Sequence, residues 1–157
     1  MYNDYRKLKM TLLNCFTEAI KLNVLEVYKR LDENGVVMLP CNMEKIKGIT
    51  VEVNGKYGVA INHKEMENSD EEFIVAAHEY GHCMTGTTYS FDIDEVIKRK
   101  CEYKADRRAV LDFLPIEKFK EAIKQGCQMA YEFAEYLDLP EKFVIQACEH
   151  YKAMGLL

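Results

Sequence analysis

The sequence predicts an α+β fold, in which a small antiparallel three-stranded sheet packs on a helical core and further helices follow. One observation is the dipeptide Asn54-Gly55, which stands between two runs rich in β-branched residues and is a strong hairpin signal. Another is the recurrence of apolar residues every three or four positions elsewhere, the period of an amphipathic helix. The 157 residues suffice for one core and contain no linker, so we expect a single domain over 1–157.

The predicted elements follow one another without a repeat or a low-complexity stretch. We expect, in chain order, an N-terminal helix at 4–33, a sheet at 36–62, a helix at 70–85, a second long helix at 92–114 and C-terminal helices at 115–154. A small sheet that leads into a helix therefore makes up the first half of the chain.

Local patterns define the first helix and the strands. The helix ends at Asn34-Gly35, and its apolar residues at spacings of three and four are Leu12, Leu13, Phe16, Ile20, Val24, Val27 and Leu31. The strands are expected at 36–40, which a proline closes, and at 48–53 and 57–62, which the hairpin turn joins.

The helix at 70–85 has both a start and a stop signal. The run Ser69-Asp70-Glu71-Glu72 fits a capping box, with Ser69 as the N-cap and Glu72 at N3, and its acidic first turn suits the helix dipole. Apolar residues at helical spacing follow, and Gly86 is placed to end the helix. We therefore expect this helix to be buried on one side.

The later helices have weaker boundary signals. We expect a helix at 92–114, either continuous or broken near Arg99. Pro115 is expected to be the first residue, N1, of the next helix. Two more helices are expected at 127–137 and 141–154, separated by a tight turn. Because this last pair is rich in acidic residues, it is a poor reader of DNA, and we expect it to serve packing.

The helix at 70–85 carries the pattern H-E-x-x-H as His78, Glu79 and His82. Residues four apart on a helix lie on one face, with Cβ atoms about 5–6 Å apart, so two imidazoles can converge on one ion. Glu79 lies about 100° round the helix from His78 and need not be a ligand. It can instead face a water molecule whose pKa zinc lowers, and act as its general base.

A catalytic zinc site usually has three protein ligands, so the sequence has to supply one more. Glu102 and Asp106 lie four apart on a predicted helix, which lets Glu102 reach the metal while Asp106 accepts the N–H of a ligand histidine. Asp92 and Asp94 compete with Glu102 for this role, and spacing alone does not decide between them. The remaining histidines, which we expect to be structural, are His63 and His150.

Two longer motifs and a short segment after them extend the pattern. The chain reads A-A-H-E-Y-G-H at 76–82, E-Y-K-A-D-R-R-A at 102–109 and F-L-P at 113–115. This combination resembles the ImmA/IrrE family of metallopeptidases over about 57–115, whereas the first and the C-terminal helices match only loosely. The resemblance implies a zincin-like helical core that binds one zinc ion per chain.

The resemblance also implies roles for individual residues. The implied zinc ligands are His78, His82 and Glu102. Glu79 is the implied catalytic base, and Asp106 the implied support of a ligand histidine, since its spacing from Glu102 is similar to that in thermolysin-like enzymes. Tyr89 and Tyr103 are candidate donors to the oxyanion of the tetrahedral intermediate.

The sequence therefore predicts a zinc metallo-endopeptidase that hydrolyses a peptide bond in a partner protein. The resemblance further implies the partner, a helix-turn-helix repressor of a prophage or other mobile element, which the enzyme cleaves as an anti-repressor. Two alternatives stay open. One is a non-catalytic zinc-containing module that grips a regulator or toxin partner, and the other is a toxin-type protease without a dedicated repressor.

Composition limits the partners and the location. The formal net charge of −5 argues against direct binding of nucleic acid. The sequence shows neither the apolar core of a signal peptide nor a run of about 18 apolar residues, so we expect no membrane contact and a cytoplasmic location. The six scattered cysteines form no C-x-x-C pair and are expected to be reduced core residues.

Overall fold

The computed structural model describes residues 22–90 and 92–157. Within these residues the chain forms six helices and one three-stranded sheet, which confirms the predicted α+β class. The part of the predicted N-terminal helix before residue 22 lies outside the described residues. From residue 22 onward, each predicted helix and strand is present, with ends that differ by a few residues.

The six helices and three strands of the described residues have the following bounds. They are α1 (Leu22–Glu33), β1 (Val37–Leu39), β2 (Gly48–Val53), β3 (Lys56–Ile61), α2 (Ser69–Thr85), α3 (Glu95–Phe113), α4 (Ile116–Lys124), α5 (Ala130–Leu137) and α6 (Glu141–Ala153). A short 3-10 turn, His63–Glu65, lies between β3 and α2. Helix α3 begins later than predicted and continues unbroken past Arg99, and Pro115 is the N-cap of α4 rather than its first residue.

The hairpin of β2 and β3 forms as predicted. The two strands are antiparallel, with Gly48 opposite Ile61 and Val53 opposite Lys56. The turn residues Asn54 and Gly55 have φ values of 52° and 73°, and a type I′ turn requires positive φ at both positions. The Asn-Gly dipeptide therefore fixes the register of this strand pair.

The prediction of a wholly antiparallel sheet is wrong for β1. The strand order is β1-β3-β2, and β1 runs parallel to β3, with Val37 opposite Gly58. The connection at 40–47 reverses the chain, so β1 and β2 run in opposite directions, as an antiparallel sheet requires. It also crosses the end of β3, so β2 pairs with the side of β3 opposite to β1. This places β3 in the centre, where Val59 and Ile61 are buried, and leaves β2 at an edge.

The start of α2 differs by one residue from the predicted capping box. Asn68 is the N-cap, and its side chain accepts a hydrogen bond of 2.9 Å from the backbone N–H of Glu71. Glu71 in turn accepts from the N–H of Glu67, the residue before the N-cap, so the reciprocal box predicted for Ser69 and Glu72 does not form. The helix ends at Gly86 in the left-handed conformation, with φ 62°, as predicted.

The apolar core lies between α2 and the helices around it. Phe73 of α2 packs edge-on against Phe113 of α3 and Phe143 of α6, with ring centroids 5.8 and 5.0 Å apart. From α1, Val24 and Val27 are fully buried. The predicted amphipathic face of this helix is therefore correct over its described part, and α2 is held on several sides.

The contact between α2 and α3 is unusually close at Gly81. A Cβ atom built on Gly81 would lie 2.1 Å from the carbonyl oxygen of Ala105 and 2.9 Å from its Cα. Because these are backbone atoms, no side-chain rotation can make room. The two helices therefore meet backbone to backbone, which brings the turn of α3 that carries Glu102 next to α2.

Helix length and the state of the cysteines are two further features of the described residues. No helix within 22–90 and 92–157 has the length and apolarity needed to cross a bilayer. The five cysteines in this part of the chain are free, as expected, but only Cys83 is buried in the core.

The closest approach of α2 and α3 generates a prediction for Gly81→Ala. Alanine favours a helix by about 1 kcal/mol over glycine, but here its methyl group meets the backbone of Ala105. We expect the free energy of unfolding to fall by about 3 kcal/mol or more, measured by urea denaturation.

The control is Gly126→Ala, where no atom lies within 4 Å of an added Cβ and only the positive φ of 99° opposes the substitution. It should lower the free energy of unfolding by about 1–2 kcal/mol. A Gly81→Ala protein as stable as the wild type would contradict the close helix contact.

Candidate metal centre

Helix α2 presents His78 and His82 on one face, as their spacing predicts. Their Nε2 atoms are 3.0 Å apart, and the rings are nearly perpendicular at a centroid separation of 4.6 Å. His82 is buried, whereas about a quarter of the His78 side chain is exposed. The two imidazoles therefore point at a common position near the surface.

Helix α3 adds a carboxylate to this pair. Glu102 places Oε2 at 3.3 Å from Nε2 of His78 and Oε1 at 3.4 Å from Nε2 of His82. The competing aspartates lie elsewhere, because Asp94 is the N-cap of α3 and accepts from the N–H groups of its first turn, and Asp92 is exposed in the preceding loop. The structure therefore brings Glu102, and neither aspartate, to the histidines.

The three donors fit a divalent metal ion. One atom from each of His78, His82 and Glu102 lies within 4.8 Å of the others. At Zn–N distances of about 2.0–2.1 Å, ligand atoms at the corners of a tetrahedron lie about 3.3 Å apart, which is close to the separations seen here. Two imidazoles and a carboxylate suit zinc and also other transition metals, so the group could hold a metal ion but does not identify which one.

Each histidine is oriented through its other ring nitrogen. Nδ1 of His78 lies 2.7 Å from the Asp106 carboxylate, as predicted. Nδ1 of His82 lies 3.1 Å from the carbonyl oxygen of Thr87 and 3.0 Å from its hydroxyl. A proton on each Nδ1 satisfies these acceptors and leaves both Nε2 atoms free to bind a metal.

The surroundings shift the pKa values of the two histidines in opposite directions. Burial lowers the pKa of His78, but the hydrogen bond and charge of Asp106 outweigh it, so the net shift is upward. Burial and the charge of His78 both lower the pKa of His82. His82 is therefore the more readily neutral of the two, the form in which an imidazole binds metal.

Glu79 lies beside the cluster and is held by the edge strand. It is buried, and its Oε2 accepts a hydrogen bond of 2.6 Å from the hydroxyl of Thr50 in β2. A Cβ atom on Gly48 would lie 2.9 Å from Oε1 of Glu79, so only glycine leaves room for this carboxylate. Burial raises the pKa of Glu79, while Thr50 and His78 lower it, and the net shift is upward.

The two tyrosines proposed as oxyanion donors have different positions. Tyr89 donates a hydrogen bond to Oε1 of Glu102, and its ring lies 5.9 Å from that of His82. Burial, and then this hydrogen bond, raises the pKa of Tyr89, so its hydroxyl keeps its proton and acts as the donor. The ring of Tyr103 instead packs on His150, with centroids 4.9 Å apart, so only Tyr89 is joined to the cluster.

The remaining candidate ligands lie outside the group. His63 pairs with Glu72 at 3.4 Å on the surface, and His150 is buried against Tyr103. Burial raises the pKa of Cys83 to about 11, so this residue is a neutral thiol in the core. His63, Cys83 and His150 are therefore not part of the group formed by His78, His82 and Glu102.

Sequence reasoning missed Thr50, Gly48 and Thr87. Thr50 and Gly48 are alternate residues of β2 and so face the same side of the sheet, and two small residues there were a signal that a helix packs closely. Thr87 follows Gly86, whose left-handed conformation turns the chain back toward the end of α2. The N–H of Thr87 donates to the carbonyl oxygen of His82 at 3.3 Å. No local period marks either contact.

No protein-family model matches the chain, and neither does any curated protein or solved structure. The likeness to the ImmA/IrrE family therefore rests on the two motifs in the sequence.

The first prediction for the site concerns metal content. Purified protein should hold about one zinc ion per chain, and His78→Ala or Glu102→Ala should lose it, because two donors bind zinc far more weakly than three. Metal content after dialysis, measured by mass spectrometry, tests this.

His63→Ala is the matched control, since it removes an exposed histidine outside the cluster. It should leave the zinc content unchanged. If Glu102→Ala keeps its full zinc content and Asp92→Ala loses it, then Asp92 and not Glu102 is the third ligand.

Proposed function

We propose that the protein is a zinc-dependent endopeptidase that hydrolyses a peptide bond in a partner protein. The observation that carries the proposal is the position of Glu79, whose buried carboxylate interacts electrostatically with His78 and Glu102 without belonging to the three-donor group. A structural metal site has no use for such a carboxylate, whereas hydrolysis requires a base next to the attacking water. This distinction favours an enzyme over a non-catalytic zinc module.

The residues divide the chemistry between them. His78, His82 and Glu102 would hold the zinc, which when bound polarises a carbonyl group and acidifies water. Glu79 accepts the proton of the attacking water and passes it to the leaving amine. Thr50 donates to one oxygen of Glu79 and so fixes the orientation of its carboxylate.

The open edge of strand β2 favours the proposal that the substrate is a protein. Within the described residues β2 pairs with β3 alone, so the outer edge of β2 has unpaired N–H and C=O groups. An extended peptide can add to such an edge through its own backbone. Because Thr50 of β2 touches Glu79, a peptide bound along this strand passes beside the base.

The proposed substrate is a helix-turn-helix repressor of a mobile element. Two motifs, at 76–82 and 102–109, support this, since they resemble the ImmA/IrrE family, and the resemblance implies such a partner. The protein would act on the repressor and not on DNA, which agrees with its net charge of −5.

Glu79→Gln tests the base. Glutamine keeps the shape and one hydrogen-bond acceptor for Thr50 but cannot take a proton, so the variant should retain zinc and lose at least about 100-fold in turnover. The measurement is incubation of wild type and variant with the repressor encoded beside the gene, followed by mass spectrometry of the products. One discrete cut by the wild type alone is expected. Equal cleavage by both proteins would remove Glu79 from the mechanism.

Thr50→Val tests the residue that holds the base. Valine has the size of threonine but no hydroxyl, so the carboxylate of Glu79 loses its fixed orientation. We expect kcat to fall by about 10-fold while zinc content and KM change little. Thr50→Ser is the control, since it restores the hydroxyl and should restore most of kcat. A valine variant with unchanged kcat would argue that Thr50 has no part in positioning.

A further inference from the structure

The loop at 86–90 contacts two of the three candidate ligands. It leaves α2 at Gly86 and returns toward the cluster, where Thr87 accepts from His82 through its carbonyl and hydroxyl oxygens. Two residues later, Tyr89 donates to Oε1 of Glu102. Thr85 is linked to the hydroxyl of Thr87 at 2.7 Å, which fixes the start of the loop against α2.

Glu102 differs from the histidines in what holds it. The histidines share one helix, and each has a hydrogen-bond acceptor at Nδ1 that sets its ring. The carboxylate of Glu102 comes from α3, about a third of its side chain is exposed, and its chain has three rotatable bonds. Ordering such a side chain for a metal costs conformational entropy unless a partner already holds it.

The only hydroxyl that the described structure shows bonded to this carboxylate is that of Tyr89. It binds Oε1, the oxygen that faces His82, while Oε2 faces His78. The ring of Tyr89 is half-buried and rests near the ring of His82, so its own position is restricted. One donor from a restricted side chain is sufficient to select the rotamer in which both oxygens face the imidazoles.

We propose that Tyr89 is a positioning residue of the metal centre, whose hydroxyl holds the Glu102 carboxylate in its metal-binding rotamer. The loop at 86–90 is then part of the metal centre, since it orients His82 through Thr87 and Glu102 through Tyr89. The inference rests on the metal centre of the proposed function and does not depend on the peptidase step. It also separates Tyr89 from the role of an oxyanion donor, which acts in the reaction and leaves metal affinity unchanged.

The experiment compares the zinc affinity of the wild type, Tyr89→Phe and Tyr103→Phe by competition with a chromophoric chelator. Phenylalanine removes only the hydroxyl, and Tyr103 is the matched control because it adjoins Glu102 in sequence but packs on His150. We expect Tyr89→Phe to bind zinc about 10-fold more weakly, as for other groups that orient a metal ligand, and Tyr103→Phe to bind as the wild type does. The melting temperatures of the three metal-free proteins should agree.

A double variant tests whether Tyr89 acts through Glu102. In a Glu102→Ala background, which removes the acceptor of Tyr89 and leaves weaker zinc binding by the two histidines, Tyr89→Phe should cause no further loss of affinity. A further 10-fold loss there would overturn the inference, and so would wild-type affinity in Tyr89→Phe. If Tyr89→Phe keeps its affinity but loses turnover, the inference fails while the peptidase stands; if it loses affinity and the wild type cleaves nothing, the inference stands while the peptidase fails.

Discussion

The candidate metal centre depends on one backbone contact, that of Gly81 in α2 with Ala105 in α3. Helix α2 alone offers two nitrogen donors, and a catalytic metal needs a third protein ligand. Glu102 supplies it from the turn of α3 that precedes Ala105, and it comes within 3.4 Å of both imidazoles only because the helices lie so close. Gly81 contributes no functional group, but because it lacks a side chain the two helices can approach closely enough to set the geometry of the site.

Around this contact, each polar group of the site is held by a partner from another segment. The pairs are Asp106 with His78, Thr87 with His82, Tyr89 with Glu102 and Thr50 with Glu79. The partners belong to α3, to the loop after α2 and to β2, so the packing of these segments with α2 orients the side chains of the site. Such prior orientation reduces the entropy cost of binding and is the usual way in which a scaffold supports a reactive group.

The features that could be predicted are those with local causes. The hairpin follows from Asn54-Gly55, because few other dipeptides accept positive φ at both positions. The end of α2 follows from Gly86 for the same reason. The start of α2 was misplaced by one residue because Asn68 and Ser69 are both good N-caps, and both are followed at N3 by a glutamate. In the structure Glu72 accepts from the hydroxyl of Tyr28 and pairs with His63 instead of capping the helix.

By itself, the sequence determined that His78 and His82 face one way and that Glu79 lies aside from them, because the helical period fixes those directions. Only the tertiary structure decided that Glu102, and neither Asp92 nor Asp94, completes the group, that β1 runs parallel to β3, and that Thr50 reaches Glu79. The physical reason is the same in all three cases. They depend on how segments distant in the chain pack together, and no local period in a sequence encodes that packing.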